Sequence, residues 1–315
     1  IAQPAEDMLR GVRWSLIEKD SDGSLVIVQQ DTKTLDELRA IDVDRGTDAD
    51  VLANLFAAGS TEIFYDRSFA SKSSEADDRK FVSVLKAYPG RVYLGALQSA
   101  NNKSGNYAGK VPLPQYREYA GVVSLLTYYR PFNLNVALPL ASDSPVGKIP
   151  TLSAKIAGRN GDIDQVYSPD FSIQVGSFKK LSYIDVMRGD FDPFVVRGKK
   201  VLIIPSALTF NDIHSIPGQR VDAPGGYFHA IGAETLRNGV PKEYGWLLPF
   251  LLILAVVMSG LRRGRVLDVY RLTGLVVILG AAPFLLDFVR IHVEVVPALA
   301  VALVAVVRVR NLDRV

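Results

Sequence analysis

The chain has 315 residues, 48% hydrophobic and 22% charged, a balance that excludes both a disordered chain and an all-membrane protein. A formal charge of +3 gives no electrostatic case for nucleic acid as a partner, and many arginines stand beside apolar segments instead. The lack of cysteine excludes disulfides, zinc knuckles and a thiol nucleophile, while leaving an oxidising compartment such as the periplasm open.

No charged stretch leading into an apolar one follows Ile1, so an export signal is expected upstream of it. Asp20, Asp22 and Gly23 share residue types with a calcium loop but lack its remaining ligands and closing glutamate, and read as an ordinary turn. Runs rich in β-branched and aromatic residues at 25–28, 61–65, 91–94, 121–125, 135–138 and 200–204 predict strands. Helical spacing of apolar residues predicts helices at 48–57, 75–87, 150–157 and 230–237. In the first of these, Val51, Leu52, Leu55 and Phe56 share a face. Strands alternating with helices predict an α/β domain with a mixed, largely parallel sheet flanked by helices. Residues 103–109, glycine-rich and polar, read as a surface loop.

Ligands of such sheets sit beyond the carboxyl ends of strands. That rule points to Gln30 and Asp31 after the first strand and to Asp66 after the second, with the capping of the following turns as the alternative. The loop after 200–204 contributes Asn211, Asp212 and His214, which either touch a ligand or satisfy loop backbone groups. His214, His229 and His292 show no metal-ligand spacing, and no dinucleotide, P-loop or hydrolase motif occurs. No metal, cofactor or catalytic residue is therefore expected.

From Tyr244 onward apolar residues dominate, in stretches at 246–261, 272–288 and 293–307. Each is slightly shorter than the ~20 residues of a spanning helix. Residues 247–257 and 275–286 nevertheless contain no charge, where a soluble helix would show a polar stripe. The reading is three transmembrane helices in a lipid bilayer. Arg262, Arg263, Arg265 and Arg271 crowd the first connection, and Arg308, Arg310 and Arg314 follow the third stretch, which puts both inside. Tyr244 and Trp246 then mark the outer interface. The expected organisation is an extracytoplasmic domain at 1–243, membrane helices at 244–307 and the start of a cytoplasmic linker at 308–315.

One stretch runs Ser182-Tyr183-Ile184-Asp185-Val186-Met187-Arg188-Gly189, then Phe191-Asp192-Pro193, then Arg197-Gly198-Lys199-Lys200-Val201-Leu202-Ile203-Ile204. It continues through Asn211-Asp212 and Pro224-Gly225-Gly226-Tyr227-Phe228-His229-Ala230 to Glu234-Thr235-Leu236-Arg237-Asn238-Gly239. This pattern resembles the second type of CHASE domain, a sensory extracellular module of bacteria associated with cyclases and histidine kinases. Three spans directly after the domain are also the arrangement of that family. Where the family usually has a glycine and an alanine or threonine after the Val-Leu-Ile strand, this chain has Ile204, Pro205 and Ser206.

The resemblance implies a receptor of the bacterial inner membrane whose periplasmic domain senses an unknown ligand or protein, with its C-terminus in the cytoplasm. The implied output, beyond the chain, is a diguanylate cyclase, cyclic-di-GMP phosphodiesterase, adenylate cyclase or kinase, with cyclic-di-GMP enzymes foremost. A homodimer is left open. No binding residues carry over, and the motif residues read as structural: Gly198 for a turn, Gly225 for the start of a helix, His229 and Ala230 for packing. The alternatives are a membrane-tethered periplasmic enzyme using the acids after the strands, and a partner-binding protein.

Overall fold

The computed structural model describes residues 2–97, 109–262 and 269–312. Residues 103–108 of the expected loop, and Arg263, Arg265 and Arg314, lie outside the described residues. The chain runs α1 (Gln3–Leu16), β1 (Leu25–Gln30), α2 (Thr32–Leu38), α3 (Arg45–Ala57), β2 (Glu62–Ser68), α4 (Glu75–Ala87) and β3 (Val92–Ala96). There follow α5 (Pro114–Arg117), β4 (Gly121–Ser124), β5 (Tyr128–Tyr129), β6 (Val136–Pro139), β7 (Ala141–Ser144), β8 (Gly147–Pro150), α6 (Leu152–Ala157) and β9 (Val166–Tyr167). Next come β10 (Lys179–Ser182), α7 (Tyr183–Arg188), β11 (Lys200–Pro205), β12 (Ile213–Ser215), β13 (Asp222–Pro224) and α8 (Gly226–Asn238). The chain ends with β14 (Lys242–Glu243), α9 (Leu247–Arg262), α10 (Val269–Phe288), β15 (Ile291–His292) and α11 (Val296–Leu312). These elements fall into two compact units, Trp14–Gly239 and Ile1–Arg13 with Val240–Val315.

In the unit Trp14–Gly239, six parallel strands make one sheet in the order β10-β1-β11-β2-β3-β4. Successive side chains of a strand point to opposite faces, and both faces here are covered. Leu25, Ile27, Phe64, Leu202 and Ile204 pack towards α6 and α8. Val26, Val28, Ile63, Tyr65, Val201 and Ile203 pack towards α3, α4 and α7. Burial of such side chains contributes ~1.5–3 kcal/mol each, which is why the strands read as nearly continuous apolar runs.

Five of the six expected strands join this sheet. The sixth, 135–138, forms as β6 but pairs antiparallel with β5 and β9 away from it. Its place at the sheet edge is taken by β10, whose Lys-Lys-Leu-Ser sequence leaves both lysines exposed. The expected helix at 230–237 begins earlier, at Gly226. Gly198 does occupy a turn that needs a positive φ, at +73°.

In the other unit, Arg13 Nε donates to Asp287 Oδ2 at 2.6 Å, and His292 Nδ1 lies 2.6 Å from Asp287 Oδ1. Arg10 pairs with Glu243 at 3.0 Å, and the Glu6 carboxylate accepts the Val296 amide at the start of α11. Ile253, Ala298 and Ala302 form a small apolar core among α9, α10 and α11. Among the described residues, no helix is long and apolar enough to cross a membrane. The 16 residues of α9 reach about 24 Å, against the ~30 Å of a hydrocarbon core. The 17 residues of α11 reach about 26 Å and the 20 of α10 about 30 Å, so only α10 has the length of a span, and the expectation of three spanning helices is not supported.

Candidate functional site

The topology opens a crevice at the carboxyl edge of the sheet. β2 leads into α4 on one face, whereas its neighbour β11 leads through β12 and β13 into α8 on the other. Diverging connections of adjacent parallel strands leave a gap, which is where ligands of open α/β sheets sit. Pairing of the two strands stops at Ile203 with Tyr65, and the β2–β3 register is irregular between Phe64 and Ser68. Asp66 and Ile204 are thus the first residues to splay apart. A cavity of about 550 Å³ occupies the gap, walled by the ends of β2, β4 and β11 and by the start of α8.

Two of the sequence candidates meet there. The alternation that buries Phe64 under α8 sends Asp66 the same way, until its carboxylate lies against the first turn of that helix. A Cβ added at Gly226 would stand 2.7 Å from Asp66 Oδ2 and 2.4 Å from Ile204 Cγ2. Asp212 approaches the same turn from the other side, its Oδ2 accepting the Gly225 amide at 3.1 Å. Glycine at 225 and 226 is what allows both acids so near a helix start. Asp212 Oδ1 also lies 3.0 Å from His214 Nε2, and the His214 ring sits 5.5 Å from that of Tyr129. Asp66 accepts no hydrogen bond among the described residues. Burial, and then the nearby Asp212 carboxylate, push it up to about 8.

His229, read from sequence as packing, lines the cavity as well. It is 2% exposed, and its Nδ1 has no hydrogen-bond partner. Its other nitrogen bonds the Leu125 backbone, and burial holds the ring down to about 4, neutral near pH 7. Ser68 Oγ, a further cavity residue, is likewise buried and unpaired. Arg67, also on the cavity wall, is held by two acids: its Nη1 pairs with Asp42 at 3.2 Å and its Nη2 with the fully buried Asp48. Asp48 also takes hydrogen bonds from Arg45 at 3.2 Å and Tyr183 at 2.8 Å, a charged anchor beneath the crevice.

The remaining candidates lie elsewhere. Asp31 does not line the cavity; its Oδ1 caps α2, accepting from Thr34 N at 2.9 Å and Thr34 Oγ1 at 2.7 Å, and from Ser182 at 3.1 Å. Gln30 is buried with neither side-chain polar atom paired, outside the cavity wall. Asn211 is exposed in a turn with φ of 52°. Asp22 does not gather a cation; it pairs with Arg237 at 2.9 Å. Among the described residues, no group of three or more His, Cys, Asp or Glu could hold a metal ion.

The geometry offers a half-buried crevice that holds unpaired polar atoms and, among the described residues, no nucleophile hydrogen-bonded to a base. No curated protein and no solved structure matches the chain significantly. A model of the CHASE2 domain family matches residues 3–262, more than half of the chain. The chain therefore belongs to the CHASE2 domain family, sensory rather than catalytic extracellular domains of signalling receptors.

Proposed function

We propose that this chain is the input and membrane portion of a bacterial transmembrane receptor, with the crevice between β2 and β11 as its sensing site. The observation that carries the reading is that Asp66 and His229 Nδ1 face this cavity with no partner among the described residues. Buried polar atoms left unpaired cost ~1–3 kcal/mol each, and a sensor recovers that cost when its ligand binds. In this reading residues 1–243 form the periplasmic sensor, 244–307 three membrane helices and 308–315 the start of a cytoplasmic linker. The arginines beside the apolar stretches support it, as do the exposed Leu248, Leu252, Val277, Leu285 and Leu303 of α9, α10 and α11. The output beyond the chain is a cyclic-di-GMP synthase or phosphodiesterase, and the compartment is the bacterial inner membrane.

The experiment fills the crevice. Leu126→Trp in the whole receptor is expected to shift cellular cyclic-di-GMP from the wild-type level while expression and melting temperature hold. Alkaline phosphatase fused after Gly239 is expected to be active, and fused after Arg310 inactive. A folded Leu126→Trp receptor that keeps wild-type output would sink the crevice as sensing site, and an active Arg310 fusion would sink the topology.

A further inference from the structure

The ligand class follows from which hydrogen-bonding groups the crevice leaves open. Among the described residues, its unpaired or partly paired groups are the Asp66 carboxyl, the outer lone pairs of Asp212, Nδ1 of His229, whose other nitrogen is committed to Leu125, and the buried Ser68 Oγ and Arg67 Nε, so that acceptors predominate. The cationic side chain among the described wall residues, Arg67, has its charge balanced by Asp42 and Asp48. A carboxylate or phosphate ligand would therefore meet two acids and a lone pair, with no cation among the described wall residues left uncompensated to receive it. A neutral polyol could donate hydrogen bonds, yet it would bring no charge to balance the Asp212 carboxylate or to let the neighbouring Asp66 ionise.

Most of the remaining wall is apolar and aromatic. The Tyr129 ring lies 6.0 Å from that of Phe228, edge to face, and Phe210, Leu97, Leu125 and Leu126 add apolar surface, with Asp42 and Thr127 as further polar residues of the wall. Aromatic faces next to carboxylates favour a positively charged head, and a cavity of about 550 Å³ suits a small molecule. Resting on the crevice as sensing site, we infer that it takes a small organic cation, an ammonium or amidinium head on a compact apolar body. The head lies between Asp66 and Asp212 with one N–H towards His229 Nδ1, and the body lies against Tyr129 and Phe228.

The test uses the complete 315-residue chain in mild detergent and four probes: 2-phenylethylammonium, 2-phenylethanol, 3-phenylpropanoate and magnesium chloride. Calorimetry and thermal shift are expected to show binding of the ammonium probe alone. Asp66→Asn and Asp212→Asn, both isosteric, should each weaken it about tenfold or more, the worth of a hydrogen bond to a charged group. Binding of the alcohol or the carboxylate as tightly as the amine, a response to magnesium alone, or binding by none of the four would overturn the cation class. The crevice reading is judged separately by Leu126→Trp in the whole receptor. An altered output there, with no amine binding, leaves the site standing and this ligand class refuted.

Discussion

Asp31 follows β1 directly, whereas Asp66, expected just after its strand, lies inside β2, which runs on to Ser68, and local chain geometry sends the two acids to different tasks. After Asp31 the chain turns at once into α2, so the Thr34 amide and hydroxyl lie within reach and the carboxylate becomes a helix cap. After Asp66 the irregular end of β2 offers no such amide, and the carboxyl is left facing the cavity. Asp31→Ala is therefore expected to cost about 1 kcal/mol of stability in urea denaturation and to leave amine binding unchanged. The sheet-edge rule named both acids from sequence; only the backbone following each could say which was free. His229 was legible as a motif residue but not as a cavity residue, because its orphaned nitrogen depends on where Leu125, just after β4, comes to rest.

Among the elements, α8 shows what periodicity misses. Its apolar pattern reads from Ala230, but the helix starts at Gly226, where two glycines give no pattern to read and serve the close approach of Asp66 and Asp212. Gly226→Ala would gain about 1 kcal/mol of helix propensity. The new Cβ would meet Ile204 Cγ2 at 2.4 Å, an overpacking that costs about 1–3 kcal/mol and pushes Asp66 aside. A lowered melting temperature together with weakened amine binding is expected, and Gly225→Ala, which meets only the movable Asp212 carboxylate at 2.9 Å, should be milder. α1 escapes sequence reading for a different reason. It buries Glu6, Asp7, Arg10 and Arg13 and exposes Met8, Val12 and Leu16, the reverse of an ordinary amphipathic helix.

For the whole molecule, the crevice makes stability depend on pH with a sign that can be worked out. Folded Asp66 keeps its proton up to about 8, whereas unfolded it ionises near ~3.9. Its contribution is whole below that unfolded value and is lost as pH rises towards 8. His229, held down to about 4, contributes fully above its unfolded value of ~6.5 and loses that contribution as pH falls. Between about pH 6.5 and 8 Asp66 alone of the two acts, so the melting temperature should fall across this window and Asp66→Asn should flatten the fall. Equal slopes in the two proteins would mean that Asp66 is already ionised when folded. The α/β class, five of the six sheet strands and the acids after them were set by the sequence alone, because burying both faces of a strand writes apolar runs into it. The crevice was not, because β11 comes late in the chain yet inserts between β1 and β2. Asp66, Asp212 and His229 are far apart in sequence and meet only through that insertion, and which of their atoms stays unpaired is decided by packing between elements.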